Sequence, residues 1–349
     1  MIEIKTIKRW FLKEQFKITN YNILHLLNRI DIDLKKKKEM FKSMVLQIDG
    51  GGIKGLVPVI NLFVLEEKYG QLNKYFKTLW GTSTGAIITS LIAVGLPMKS
   101  ILNFYVTLGP KIFKNEFGGL FNIFTDSAYD GKYIETVLKK YIGDVTFNDL
   151  YENNIELNIP VVRILEKDTI ICNHKNTPDW PVWVAVRASM SAPAYFGPFY
   201  WKDGLEYPYA FFDGGTGVYN CTLEKAINNE FYIKGFTTDE FYVYSVGYGK
   251  DNNSSASFNK DKRNKIIDKK VKKMKKISQL LWTFNFGRQE TIDRQLRHAL
   301  YLVDEIKLNF NRFDILLPKS LSPMDNTDNI NELVKYVQEV IKNQHYLLY

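Results

Sequence analysis

The chain has 349 residues, 45% of them hydrophobic, and a formal charge of +9. That much apolar material argues for a folded protein with a sizeable core and against a disordered one. Two widely separated cysteines, Cys172 and Cys221, argue against a disulfide framework or a zinc site, and the first residues lack the apolar core of a signal peptide.

The charge is unevenly placed. Residues 1–43 hold 11 Lys/Arg against 5 Asp/Glu, residues 250–276 hold 11 against 3, and the remainder is net acidic. Such segments attract anionic membrane surfaces or nucleic acid, yet charge runs are more often solvated linkers. The plain reading is preferred, and no nucleic-acid partner is expected.

In chain order, Ile23, Leu27, Ile30 and Leu34 fall at helical spacing before the run KKKK at 35–38, which predicts a helical, basic lead-in over 1–43 docked on the main domain. Residues 45–48 read as a buried strand, and the stretch from Ile53, IKGLVPVINLFVLEE, as the helix that follows. FKTLWG is the next strand, and STGAIITSLIAVG an apolar helix stopped by Gly95 and Pro97. Its most apolar part, residues 85–96, is too short to span a bilayer. PMKSILNFYVTLG predicts another helix, and the phenylalanines of 113–124 suit a mobile apolar flap or part of an acyl groove as well as they suit a core-packed loop. IELNIPVVRILEKD and TIICN read as neighbouring strands, VWVAVRASMSA as a helix, and YAFFDGG and EFYVYSVGYG as strands. The polar stretch 250–276 predicts a flexible loop within a domain of residues 44–349. Helices at about 277–307, a strand RFDILLP and a helix over 329–343 close the chain.

Two motifs carry chemistry. Gly50, Gly52 and Gly55 have the spacing of a dinucleotide fingerprint, between a strand and a helix. However, Asp49 stands where it would repel a pyrophosphate, and the ribose-binding acid about 20 residues on is missing, so a nucleotide-binding oxidoreductase is disfavoured. GTSTG, residues 81–85, fits the nucleophile elbow that exposes a serine between strand and helix, although an N-cap serine gives the same pattern. The positive end of the helix starting at Thr84 would face Ser83, and the amides of Gly50, Gly51 and Gly52 would serve as oxyanion donors. Asp49 reads as orienting its own turn, and none of His25, His174, His298 and His345 lies in a recognisable catalytic motif.

DGGGIKG at 49–55, GTSTG at 81–85, RASMSAPAYF at 187–196 and DGG at 213–215, in this order, resemble the patatin-like phospholipase family, with a weaker likeness in SPMDNTDNINEL at 322–333. The resemblance implies a three-layer α/β/α fold with a central, mostly parallel sheet, and hydrolysis of lipid acyl esters by a Ser–Asp dyad. It makes Ser83 the nucleophile, Asp213 the base and Gly50 to Gly52 the oxyanion hole, with Lys54 and Gly214 in support. Lys54 stands where arginine is commoner, and an ammonium does not make a bidentate contact. The expected substrate is a phospholipid or lysophospholipid, without metal or organic cofactor. The expected location is cytoplasmic, with transient contact to a membrane surface. The rival expectation is a catalytically silent membrane-binding or regulatory protein on the same fold.

Overall fold

A computed structural model describes residues 23–348, apart from 113–130, 194, 203, 205–207, 218, 252–291 and 324–326. The phenylalanine stretch 113–124, most of the lysine-rich loop and the first half of the lead-in lie outside the described residues.

The helices are α1 (Leu34–Met40), α2 (Leu56–Tyr69), α3 (Thr84–Ala93), α4 (Met98–Ile112), α5 (Gly131–Ile142), α6 (Phe147–Glu152), α7 (Val182–Ser189), α8 (Leu223–Asn228), α9 (292–306) and α10 (Ile330–Lys342). The strands are β1 (Ser43–Ile48), β2 (Thr78–Gly81), β3 (Glu156–Arg163), β4 (Asp168–Cys172), β5 (Phe199–Trp201), β6 (Tyr209–Asp213), β7 (Phe241–Val246), β8 (Lys250–Asp251), β9 (Asn309–Asp314), β10 (Leu316–Leu317) and β11 (Leu347–Leu348). Strands β9, β7, β1, β2 and β3 form a parallel set, while β11 at one side and β4, β6 and β5 at the other pair antiparallel. The short β8 and β10 pair with each other.

Alternation along the strands divides the core. Met44, Leu46 and Ile48 of β1 and Tyr242, Tyr244 and Val246 of β7 face a large cluster built with α2, α3, α4 and α10. Val45 of β1 and Phe241 and Val243 of β7 face a second cluster, with Leu223 and Ala226 of α8 and Ile292, Leu296 and Ala299 of α9. Every residue of β1 and β7 is buried, as a parallel sheet covered on both faces requires. This is the expected three-layer α/β/α arrangement.

The lead-in differs from expectation. Over the described residues 23–33 there is a 3₁₀ turn at Leu24–Leu26 in place of a continuous helix, and the lysine run lies inside α1. Asp33 decides this, because its carboxylate accepts from the Lys35 and Lys36 amides and starts the helix there. Leu26, Ile30, Ile32 and Leu34 are buried in the large core cluster.

Candidate active site

Parallel β1 and β2 deliver the glycine loop and Ser83 to one pole of the sheet, and antiparallel β6 ends beside them opposite Val161 of β3. Ser83 follows β2 with φ 54 and ψ −124, outside the ordinary regions for a side-chain-bearing residue, and begins α3. Such a conformation costs about 1–3 kcal/mol and persists only where its surroundings over-determine it. The neighbours here do so. A Cβ on Gly81 would lie 2.4 Å from the Gly85 carbonyl oxygen, and one on Gly85 would lie 2.4 Å from that of Ile48. Both glycines are therefore required for α3 to seat directly on β1 and β2.

The Ser83 amide donates to Ser189 Oγ at 3.0 Å, and that hydroxyl donates to the Pro160 carbonyl at 2.9 Å. Asp213, fully buried at the end of β6, donates its amide to the Ser191 carbonyl at 3.0 Å. Arg187 donates from Nη1 to Ser191 Oγ at 2.7 Å, and its Nε pairs with Glu135 at 3.3 Å. The stretch RASMSA thus braces both the serine elbow and the aspartate turn. Register brings them level: Trp80 of β2 pairs with Asn158 of β3, and Asp213 pairs with Val161, three positions further along.

Asp213 Oδ1 accepts the Gly215 amide at 2.7 Å, which fixes the carboxylate on its own turn. A Cβ on Gly214 would fall 2.4 Å from the Pro160 carbonyl oxygen, so the turn approaches β3 too closely for any side chain.

In the glycine loop, Gly50 N–H donates to the Asn220 carbonyl at 3.2 Å, and Asn220 Nδ2 returns a bond to Gly50 O at 3.1 Å. Gly51 N–H donates to Thr84 Oγ1 at 3.0 Å. Two of the three expected oxyanion donors are therefore engaged in holding the loop. Gly52, at φ 63 and opening a 3₁₀ turn, presents the third amide. Built Cβ atoms on Gly50 and Gly215 would each lie 2.8 Å from Asn220 Oδ1, and that on Gly50 2.9 Å from Ser83 Cβ. Asn220 thus joins the glycine loop to the aspartate turn. Sequence reasoning missed it, since a lone asparagine in a loop carries no periodicity.

Lys54 is buried, with Nζ 4.2 Å over the Tyr248 ring, against which Gly51 also packs. Beneath the loop, Asp49 is held by Arg312 Nη2 at 2.6 Å and Gln47 Nε2 at 2.9 Å, which replaces the expected local turn role with a tertiary tether. Burial, reinforced by Asp49, pushes the Cys221 thiol well above its usual range, and burial pushes Cys172 up to about 12, so neither supplies a thiolate. His25, His298 and His345 are exposed, and His174 stacks on Tyr151 at 3.7 Å. Among the described residues no acidic, histidine or cysteine cluster is placed to hold a metal, and no helix is long and apolar enough to cross a membrane.

Residues 46–227, just over half the chain, match the sequence model of the patatin-like phospholipases. The chain belongs to that family. It is 29% identical over 237 residues to Patatin-like protein 2 of Arabidopsis thaliana, covering 59% of this chain and 57% of that protein. It is 32% identical over 201 residues to Patatin-05 of Solanum tuberosum, covering 50% and 49%. The chain thus spans about half the length of the curated relatives it matches. Among solved structures, VipD from Legionella pneumophila aligns over 89% of this chain and 68% of its own, at 13% identity and a TM-score of 0.47. The patatin-like match takes in the glycine loop, the serine elbow, the RASMSA stretch and the aspartate turn, and stops at α8; β7 and β9, with Arg312, lie beyond it.

Proposed function

We propose that this protein is a lipid acyl hydrolase that cleaves fatty-acyl ester bonds of phospholipids or lysophospholipids. The observation that carries the reading is Ser83, held at φ 54 at the start of α3 with Gly50 packed on its Cβ. A strained serine between a glycine loop and a helix N-terminus suits acyl transfer, where a developing oxyanion needs fixed donors.

Ser83 Oγ attacks the ester carbonyl, and its proton passes to Asp213. Asp213 returns that proton to the departing alkoxide, which leaves as the alcohol, and the regenerated carboxylate then deprotonates the water that attacks the acyl-enzyme. An Asp is a weak base, with a reference pKa of about 3.9, so burial and oxyanion stabilisation must favour the transfer. We assign the first oxyanion donor to the Gly52 amide, because those of Gly50 and Gly51 are engaged on Asn220 and Thr84. The helix α3 N-terminus adds its positive end. Gly214 lets the aspartate turn close on β3, and Lys54 supports the loop through Tyr248. No step calls for a metal or organic cofactor. The catalytic unit spans 44–349, with 1–43 as a basic lead-in, and it works in transient contact with a membrane surface.

The test is labelling with a fluorophosphonate probe, followed by mass spectrometry of products released from a phospholipid and lysophospholipid panel. The wild type is expected to label and to release fatty acid, and Ser83→Ala to do neither. Equal labelling of the two proteins would remove Ser83 from the reaction. Absence of labelling and products in a folded wild type would favour a silent scaffold.

A further inference from the structure

The lysine run at 35–38 takes no part in the site above. It ends at a surface cavity of about 360 Å³ whose lining includes Lys38, Lys42, Lys74 and Lys77, with Phe41 and Tyr75 among its walls. The cations come from two separate stretches, one leading from α1 into β1 and the other leading into β2.

Their charges are poorly compensated. Lys42 pairs with Glu240, near Asp239, but among the described residues Lys38, Lys74 and Lys77 make no ion pair. Lys38 instead lies 5.4 Å over the Tyr75 ring, and Lys77 Nζ donates to the Asn73 carbonyl at 2.8 Å. Burial, and then the charge of Lys38, holds the Lys77 ammonium below its ordinary range. Asp33, the carboxylate near Tyr75, already accepts two amides as the cap of α1. Like charges therefore converge on one concave site.

We propose that this cavity binds a small, multiply phosphorylated anion free in solution, of the inositol polyphosphate or polyphosphate class. Lysine is a point-charge phosphate ligand, and a phosphate monoester brings close to two negative charges and three acceptor oxygens. The volume lies within the range, about 300–1,000 Å³, of small-molecule sites.

Position separates a free anion from a lipid headgroup. Lys42 and Lys77 precede Ser43 and Thr78 at the start of β1 and β2, whereas the glycine loop and Ser83 follow their ends at Ile48 and Gly81. At about 3.3 Å per residue, β1 alone sets the two poles roughly 20 Å apart. Given the hydrolase reading, docking this pole on a bilayer would turn Ser83 away from its substrate. The basic site itself does not depend on that reading.

The experiment is isothermal titration calorimetry of the full chain with inositol hexakisphosphate at physiological salt, alongside sedimentation with vesicles bearing phosphorylated inositol headgroups. Wild type is expected to bind the free anion with one-to-one stoichiometry. Lys74→Glu/Lys77→Glu is expected to weaken binding about tenfold or more, whereas the charge-matched Lys335→Glu/Lys342→Glu on α10 changes it no more than about twofold. Circular dichroism confirms that both variants fold. No binding by wild type, or equal weakening by the two variants, overturns the proposal. Cavity-dependent sedimentation without binding of the free anion also overturns it, in favour of a headgroup.

Discussion

Arg312 Nη2 donates to Asp49 Oδ2 at 2.6 Å, joining β9 to the residue that opens the glycine loop 263 positions earlier. Both side chains are buried, and the guanidinium also reaches Asp314 at 3.0 Å and Ser245 Oγ at 2.7 Å. Burial alone would lower the Arg312 pKa, but Asp49 and Asp314 outweigh it and hold the group well above its ordinary value. The cation is thus fixed beneath the loop. Arg312→Met would leave two carboxylates buried without their partner, a change that costs about 3–5 kcal/mol. Urea unfolding at neutral pH is expected to show that loss, with partial recovery when Asp49 and Asp314 are changed to Asn in the same chain. No recovery would assign the loss to packing rather than charge.

The proposed dyad makes a prediction that a histidine triad does not share. Asp213→Asn is expected to abolish hydrolysis about as fully as Ser83→Ala, while His298→Ala and His345→Ala retain substantial activity. Both histidines are exposed, one on α9 and the other beyond α10. Initial rates on a lysophospholipid, with unfolding midpoints as a folding control, decide it. An active Asp213→Asn beside a dead histidine variant would replace the dyad.

The glycine loop tolerates no side chain at its second position. A Cβ on Gly51 would lie 2.5 Å from Tyr248 Cβ and Cγ, so either the loop or the ring that carries Lys54 must move. By displacing the adjacent Gly52 amide, Gly51→Ala is expected to lower kcat by about 10²–10³, the usual cost of a lost oxyanion donor, and to destabilise the fold by about 1–3 kcal/mol through overpacking. Steady-state kinetics together with urea unfolding separate the two effects. Unchanged kcat would show that the loop geometry is not used in turnover.

A buried cluster at the opposite pole sets a pH dependence. Lys234 Nζ lies 2.7 Å from both Glu156 and Glu230, and 2.8 Å from Thr78 Oγ1. Burial would raise the Glu156 carboxyl, but Lys234 outweighs it and leaves the pKa below its ordinary value. Burial would lower the Lys234 ammonium, but Glu230 and Glu156 outweigh it and leave the pKa raised. The Glu156 contribution is therefore present above the unfolded carboxyl pKa and lost as pH falls through the folded one. The Lys234 contribution is present below the unfolded lysine pKa and lost as pH rises through its folded one. Lys234→Met leaves two buried carboxylates unneutralised, so folding takes up protons and the variant should gain stability between pH 8 and pH 5 relative to wild type. Thermal melts across that range test the sign.

Much of the fold is legible where a residue's partners are close in sequence or its periodicity is plain. The near-continuous apolar runs of β1, β7 and α3 announce buried strands and a covered helix, and Gly81 and Gly85 announce the elbow. The stripe Ile134, Val137, Leu138, Tyr141 and Ile142 of α5 also has helical spacing. The lead-in shows how periodicity can mislead: apolar spacing over 20–34 suggests a helix, but the Asp33 cap starts α1 only where its carboxylate can reach the amides of Lys35 and Lys36.

The sequence by itself determined the order of motifs, the family and the identity of Ser83 and Asp213 as candidates, because each sits in a short local pattern with its own backbone requirement. Only the tertiary structure decided which loop amides are engaged, that Asn220 and Ser189 join the pieces, and that Arg312 lies under Asp49. Those contacts link residues 106, 170 and 263 positions apart. The physical reason is that a single hydrogen bond or buried ion pair leaves no periodic trace along the chain. It exists only once the parallel sheet has brought the strand ends to one pole.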